Sequence, residues 1–342
     1  MRRVLGVVLA VTLLGGLLAA CRDEPDRAVV AFLLASDTSP RWTQFDEPAF
    51  QQRVEETCPD CVYLTRNAQG DPDRQSAQLD EVLAAGADVV VLNAVSADTG
   101  EELVNRAGAV PVVAYDRFVA GADWYVSFDA DAVGSQMAHA VARQLGGTGS
   151  VLVVNGAQTD ANGVALKSAV HRVLARTDLT ILAELDPQTW SDTEAAEWVS
   201  AQLATHPART IDAVLAANDL QAGGVVRALA DARVPSVLWP LVTGQDADLE
   251  ALRRIVLGEQ ALTVYKAFPR EAQQAADIAV TVATGGTVKG ATEVEGVPGF
   301  VFEPVVVTLA NLTDTVVRDG IYRPAVICRG KVLPRCEQLG II

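Results

Sequence analysis

Apolar runs rich in Val, Leu and Ala recur along the chain, each followed by a longer stretch whose apolar positions fall three and four residues apart. The runs predict strands at Ala28 to Leu34, Cys61 to Leu64, Asp88 to Leu92, Val110 to Ala114, Trp124 to Phe128, Ser150 to Val154, Thr180 to Glu184, Ala213 to Ala216, Ser236 to Val242, Ala261 to Val264 and Gly299 to Thr308. The amphipathic stretches predict helices at Glu47 to Glu56, Arg74 to Ala85, Ala97 to Ala107, Ala132 to Leu145, Ala165 to Ala175, Thr193 to Ala204, Leu220 to Ala232, Leu249 to Leu257 and Pro269 to Ala283. Strands separated by helical segments imply βαβ units and parallel sheets. About eleven strands are too many for one compact sheet in a chain of this length, so an α/β protein of two lobes is expected.

Six of the apolar runs end in residues able to hold a hydroxyl-rich molecule: Ser36 to Trp42, Asp116-Arg117, Asn155 to Asn162, Asn218-Asp219, Gln245-Asp246 and Tyr265-Lys266. Ligands bind at the carboxyl ends of parallel strands in open α/β sheets, so this gathering of polar groups predicts a small-molecule cleft.

The N-terminus is of a different kind. Arg2 and Arg3 form a basic start, Val4 to Leu17 an apolar stretch, and Leu18-Ala19-Ala20-Cys21 a small-residue cleavage site followed by cysteine. That order reads as a secretory signal over residues 1–20, with lipidation of Cys21 and residues 21–27 as a short tether. A lipid on Cys21 would anchor the protein at the outer face of the cell membrane. Removing residues 1–20 from 342 leaves 322, enough for two domains of ordinary size.

The net charge of −16 becomes −18 once Arg2 and Arg3 are removed, which argues against a nucleic-acid partner because phosphate binding needs a positive field. The three histidines, His139, His171 and His206, lie far apart, and no protease or glycosidase signature accompanies them. Neither a metal nor a cofactor is called for. Besides Cys21 the chain has Cys58, Cys61, Cys328 and Cys336. Export favours structural disulfides, locally Cys58 with Cys61 and Cys328 with Cys336, although four cysteines allow three connectivities. The CxxC lies between a helix and a strand rather than at a helix start, where a thiolate would be stabilised, which weakens a thiol-redox reading.

Several stretches together resemble one family, the periplasmic sugar-binding proteins of ABC importers, with the xylose-binding members nearest. They are Arg41-Trp42, Val113-Ala114-Tyr115-Asp116-Arg117, Val126-Ser127-Phe128-Asp129 with Val133-Gly134, Ala217-Asn218-Asp219 with Ala222-Gly223-Gly224, Gly244-Gln245-Asp246-Ala247-Asp248, and Leu262-Thr263-Val264-Tyr265-Lys266. The resemblance is collinear from about residue 28 to about residue 322. It does not extend to the CxxC, the acidic composition or the tail beyond Tyr322.

The resemblance implies a type I binding-protein fold: two Rossmann-like lobes with parallel sheets, joined by a three-crossing hinge and closing on a ligand. Crossings are expected near Phe128-Asp129, Val264 to Lys266 and Gly299 to Glu303. Residues 28–128 and 266–299 would form the N-lobe, and 129–265 and 300–342 the C-lobe with a disulfide-bearing tail. It further implies Arg41 and Arg117 as hydroxyl donors, Asp160 and Asn162 as a paired acceptor and amide, Asn218 and Asp246 as further hydroxyl ligands, and Lys266 as a last donor. Trp190 would be an aromatic wall.

Sugar chemistry agrees with that set. Carboxylates and amides suit hydroxyls that both donate and accept, and Trp42 and Trp190 offer flat apolar faces for pyranose C–H groups. The expected function is a monomeric, lipid-anchored receptor that binds a monosaccharide, D-xylose first, and passes it to a membrane permease without catalysis. A sugar sensor presenting the closed form to a receptor or histidine kinase is the alternative. Two readings from other classes fit less well: a sugar-responsive repressor needs a helix-turn-helix ahead of residue 28, and an exported thiol-redox enzyme needs an active Cys58/Cys61 pair. Asn218, Asp219, Asp246 and Asp248 could instead serve as helix caps.

Overall fold

A computed structural model describes residues 27–342; the signal, Cys21 and all of the tether but Arg27 lie outside the described residues. The first lobe is built from β1 (Val29–Leu34), α1 (Glu47–Thr57), β2 (Val62–Asn67), α2 (Pro72–Ala84), β3 (Val89–Leu92), α3 (Ala97–Ala107), β4 (Val112–Tyr115) and β5 (Trp124–Phe128). The chain then crosses into the second lobe: α4 (Ala130–Gln144), β6 (Thr148–Val154), α5 (Ala161–Leu174), β7 (Asp178–Leu185), α6 (Asp192–Thr205), β8 (Ala213–Ala216), α7 (Asp219–Asp231), β9 (Leu241–Val242), α8 (Leu249–Leu257) and β10 (Thr263–Tyr265). It returns to the first lobe as α9 (Phe268–Ala283), β11 (Thr292–Val294) and β12 (Val297–Phe302), and ends in the second lobe as β13 (Val305–Val307), α10 (Pro324–Ile327) and α11 (Leu333–Leu339).

The first lobe holds a seven-stranded sheet in the order β11-β12-β5-β4-β3-β1-β2, parallel except for the β11–β12 hairpin. The second holds a parallel sheet in the order β7-β6-β8-β9, beside which β10 and β13 pair antiparallel. The inner strands β1, β3, β4 and β8 are covered on both faces, as their near-continuous apolar sequences require. α9 lies on the first sheet largely through Ala272, Ala275, Ala276 and Ala279, small side chains that let the helix approach closely.

Three sequence expectations need correction. Gly299 to Thr308 is two strands, β12 in the first lobe and β13 in the second, because Pro304 between them lacks an N–H and cannot continue a ladder. The lobe boundary therefore falls after Phe302 rather than after residue 299. Ser236 to Val242 is strand only at Leu241–Val242, since Pro235 and Pro240 bracket a short helical turn. β11 was not expected, although Glu295-Gly296 after it, with φ of 49° and 87°, is the turn chemistry of a tight hairpin.

Both local disulfides are formed, Cys58–Cys61 with Cα atoms 5.3 Å apart and Cys328–Cys336 with Cα atoms 5.9 Å apart. Cys58 follows the C-terminus of α1, the negative end of the helix dipole, which does not favour a thiolate. Cys328 and Cys336 join Leu252, Ile255, Val256 and Tyr322 in a buried cluster that fastens the tail onto α8.

Candidate functional site

Between the lobes lies a cleft of about 890 Å³. Arg41, Trp42, Arg117, Asp160, Asn162, Trp190, Asn218, Asp246 and Lys266 all line it, and they come from both lobes and from the β10–α9 crossing. The strands set this up. Arg117, Asn218 and Asp246 lie within a few residues of the carboxyl ends of β4, β8 and β9, Lys266 directly follows β10, and the others lie on the segments that leave β1, β6 and β7 at the same edge.

The first-lobe wall is an ion network. Arg41 is 1% exposed. Its guanidinium donates to both oxygens of Asp46 (3.2 and 2.9 Å), to Oδ1 of Asp116 (2.8 Å) and to Oε2 of Glu271 (3.0 Å). The same group stacks over Trp42 at 4.0 Å and Phe268 at 4.3 Å from the ring centroids, so one face of Trp42 is already occupied. The Tyr115 hydroxyl donates to Asp46 from beneath. Burial opposes the Arg41 charge, but Asp116, Asp46 and Glu271 outweigh it and raise its pKa above the ordinary value. Burial likewise pushes Asp116 up, yet Arg41, Lys266 and Arg117 prevail and leave its carboxyl below the usual range. For Glu271 burial dominates, reinforced by Asp116, and its pKa is raised.

The second-lobe wall is built from helix starts. Asp160 caps α5 by accepting from the Asn162 N–H at 3.0 Å, and its other oxygen accepts from Trp190 Nε1 at 3.0 Å. Asn218 caps α7 through Oδ1, which accepts from the Gln221 N–H at 2.9 Å. The capping alternative is thus realised for Asn218, but on the same side chain that lines the cleft. Both helix N-termini bring partial positive charge to the wall. Trp190 is wedged against Gly156, where a Cβ would lie 2.3 Å from its ring. Asp248 precedes α8 without making a side-chain cap bond.

The walls meet at several points. Lys266 Nζ lies 3.0 Å from Oδ1 of Asp246 and 3.7 Å from Oδ1 of Asp116, and burial against its charge is outweighed by those two carboxylates. Arg41 Nη1 is 3.8 Å from Asp246 Oδ1. Arg117 Nε lies 2.8 Å from Oδ2 of Asp160, while its Nη1 donates to the carbonyls of Ala94 (2.6 Å) and Val95 (3.2 Å). Asn162 Nδ2 donates to the Asp116 carbonyl at 2.9 Å, and the Ala97 N–H to the Thr159 carbonyl at 3.2 Å. Asp116 and Asp246 hold positive φ, 61° and 96°. Such backbone is costly for a non-glycine residue and persists where the surroundings over-determine it, often at ligand sites.

Sequence reasoning passed over Asp116 as a wall residue, although it noted the Asp116-Arg117 strand end. It also missed the supports Asp46 and Glu271. Glu271 had a signal: it occupies the buried helical phase shared by Phe268, Ala272 and Ala275, where an isolated carboxylate needs a buried partner.

Two lobes of parallel sheet with a polar cleft at their strand ends define a two-lobed solute-binding protein. The chain belongs to the periplasmic binding protein domain family, which matches residues 30–287. It is similar to the D-xylose-binding periplasmic protein of Escherichia coli, 30% identical over 294 residues that cover 83% of this chain and 87% of the relative. The protein of the same name from Haemophilus influenzae is 28% identical over 82% of this chain and 86% of its own length. Among solved structures, a carbohydrate transporter solute-binding protein from Chloroflexus aurantiacus in complex with D-glucose superposes with a TM-score of 0.77, at 25% identity over 88% of this chain and 98% of that one. The family is one of non-enzymatic solute-binding proteins.

Proposed function

We propose that the chain is the extracytoplasmic receptor of an ABC importer for a monosaccharide, D-xylose first, held at the outer face of the membrane by lipid on Cys21. The reading rests above all on the buried quartet of Arg41, Asp116, Asp246 and Lys266, whose opposite charges lie 2.8 to 3.8 Å apart. Two cations and two anions aimed at one point offer strong donors and strong acceptors together. Vicinal sugar hydroxyls, each donor and acceptor at once, match that set. Asp160, Asn162, Arg117 and Asn218 would complete the hydroxyl contacts, and the partly exposed ring of Trp190 and the edge of Trp42 would meet the apolar face of the sugar.

D-xylose is preferred because two relatives, 28% and 30% identical over some four-fifths of the chain, carry that name. A sugar that touches both walls stabilises the closed arrangement by its differential affinity for it, and a permease then reads the closed shape from a single receptor molecule. The sensor alternative uses the same cleft and differs only in what receives the closed form.

A thermal-shift screen of pentoses and hexoses tests the ligand. D-xylose should raise the melting midpoint, since a molecule that binds only the folded state stabilises it. Asp246→Ala and Asn218→Ala should each remove that rise while leaving the apo protein folded. A midpoint moved by no pentose or hexose would overturn the proposal. Cys21→Ser should release the protein from the membrane fraction, and loss of sugar uptake on deleting the gene separates transport from sensing.

A further inference from the structure

Behind the cleft, one buried carboxylate ties together the segments that carry the second-lobe wall. Asp219 is the first residue of α7, directly after Asn218, is 1% exposed and does not line the cleft. Its Oδ1 accepts from Nε2 of Gln260 at 2.8 Å. Its Oδ2 accepts from Oγ1 of Thr263 at 2.9 Å and from the backbone N–H of Asp248 at 2.9 Å. The Thr263 oxygen in turn accepts the Ala247 N–H at 3.1 Å, which leaves its proton for Asp219. The Asp219 N–H donates to the Gln245 carbonyl at 3.0 Å, and Arg254 Nη2 donates to the Asp219 carbonyl at 2.7 Å.

These bonds fasten the Gln245–Asp248 loop at both ends. Inside it, Asp246 and Ala247 hold φ of 96° and 56°, backbone that a non-glycine residue keeps only under constraint. The fit against Gly244 is close: a Cβ there would lie 2.0 Å from Oδ1 of Asp219.

We infer that Asp219 is a positioning residue for sugar binding: without touching the ligand, it holds Asp246 and Asn218 at the cleft wall by accepting three hydrogen bonds from behind. The inference rests on the reading of the cleft as a sugar site. All three partners donate here, and the ionised carboxylate accepts all of them; a proton on Oδ1 faces the Gln260 donor, and one on Oδ2 either opposes the Asp248 N–H or forces the Thr263 hydroxyl to turn away. Burial raises the Asp219 pKa to about 7, against the pull of Arg254 from α8. The other charged or titratable groups around it are Asp246 and Asp248 on the loop and Tyr322 from the tail. As pH falls through about 7 the loop therefore loses its anchor, and sugar affinity should fall by up to about tenfold per pH unit.

Two measurements test this on the mature protein. In the sugar-free state, hydrogen-exchange protection of the Ala247 and Asp248 amides should drop in Asp219→Asn, and in the wild type below about pH 7. D-xylose and D-glucose titrations should show Asp219→Asn binding about tenfold or more weakly, with a shallower pH profile than the wild type around neutrality. Gly244→Ala, which displaces the carboxylate from the other side, should weaken binding at every pH with the protein still folded. Unchanged protection in Asp219→Asn, a pH slope parallel to that of the wild type, or a lowered melting point with unaltered affinity would each overturn the inference. A wild type that binds neither sugar, with protection lost in Asp219→Asn as expected, would instead overturn the ligand reading on which it rests.

Discussion

The two walls of the cleft reach the same end by different means. In the first lobe, Arg41 is held by Asp46, five residues on, and by Asp116 and Glu271, which are distant in sequence, in a buried ionic network. In the second, Asp160 and Asn218 are helix caps, held by the backbone amides of the helices they start. A network of charges depends on every member, because removing one leaves its partners charged in a dry site. A cap depends mainly on its own helix. The first wall should therefore be fragile to substitution in both fold and function, and the second should separate the two.

Arg41→Ala puts the comparison to its hardest test. It should cost roughly 3–5 kcal/mol of stability by stranding Asp46, Asp116 and Glu271. A urea midpoint close to that of the wild type would contradict the account of this wall. Second in size is the double replacement Cys328→Ser with Cys336→Ser. By closing only a short loop the bond contributes about 2–3 kcal/mol, and its removal should lower the melting point but leave sugar affinity alone. Altered affinity would show that the tail acts on the cleft.

Asn218→Gly separates capping from contact. Glycine is nearly as good a cap, so stability should fall by only a few tenths of a kcal/mol, while affinity drops by at least about tenfold, enough to erase the sugar-induced rise in melting point, through the lost amide. Equal losses in both would reduce Asn218 to a cap. The smallest effect belongs to the exposed pair Arg172–Asp131, 2.6 Å apart on the second-lobe surface. Arg172→Ala should change stability by under about 1 kcal/mol and binding not at all. A larger change would erase the contrast with Arg41, which rests on burial.

Much of the architecture could be read from local pattern. Val30 to Leu34 and Ala213 to Ala216 announce covered strands, Asp160 and Asn218 sit where strand gives way to helix, and the cysteine pairs are close enough in sequence to meet. Such features depend on neighbours within a few residues, and periodicity and capping are properties of that range. Where the chain passes from one lobe to the other was harder, since Gly299 to Thr308 reads as one apolar run and only Pro304 hints at the break.

What the amino-acid order determined by itself was the alternation of strand and helix, the cap at Asn218 and the presence of polar groups at strand ends. Tertiary structure alone decided that Arg41 would face Glu271, 230 positions away, that Lys266 would stand between Asp116 and Asp246, and that Asp219 would brace the loop of Asp246. The physical reason is the range of the forces involved. Backbone geometry and capping are satisfied within a turn or two, whereas a buried charge selects its partner from whatever the folded lobes bring within about 4 Å.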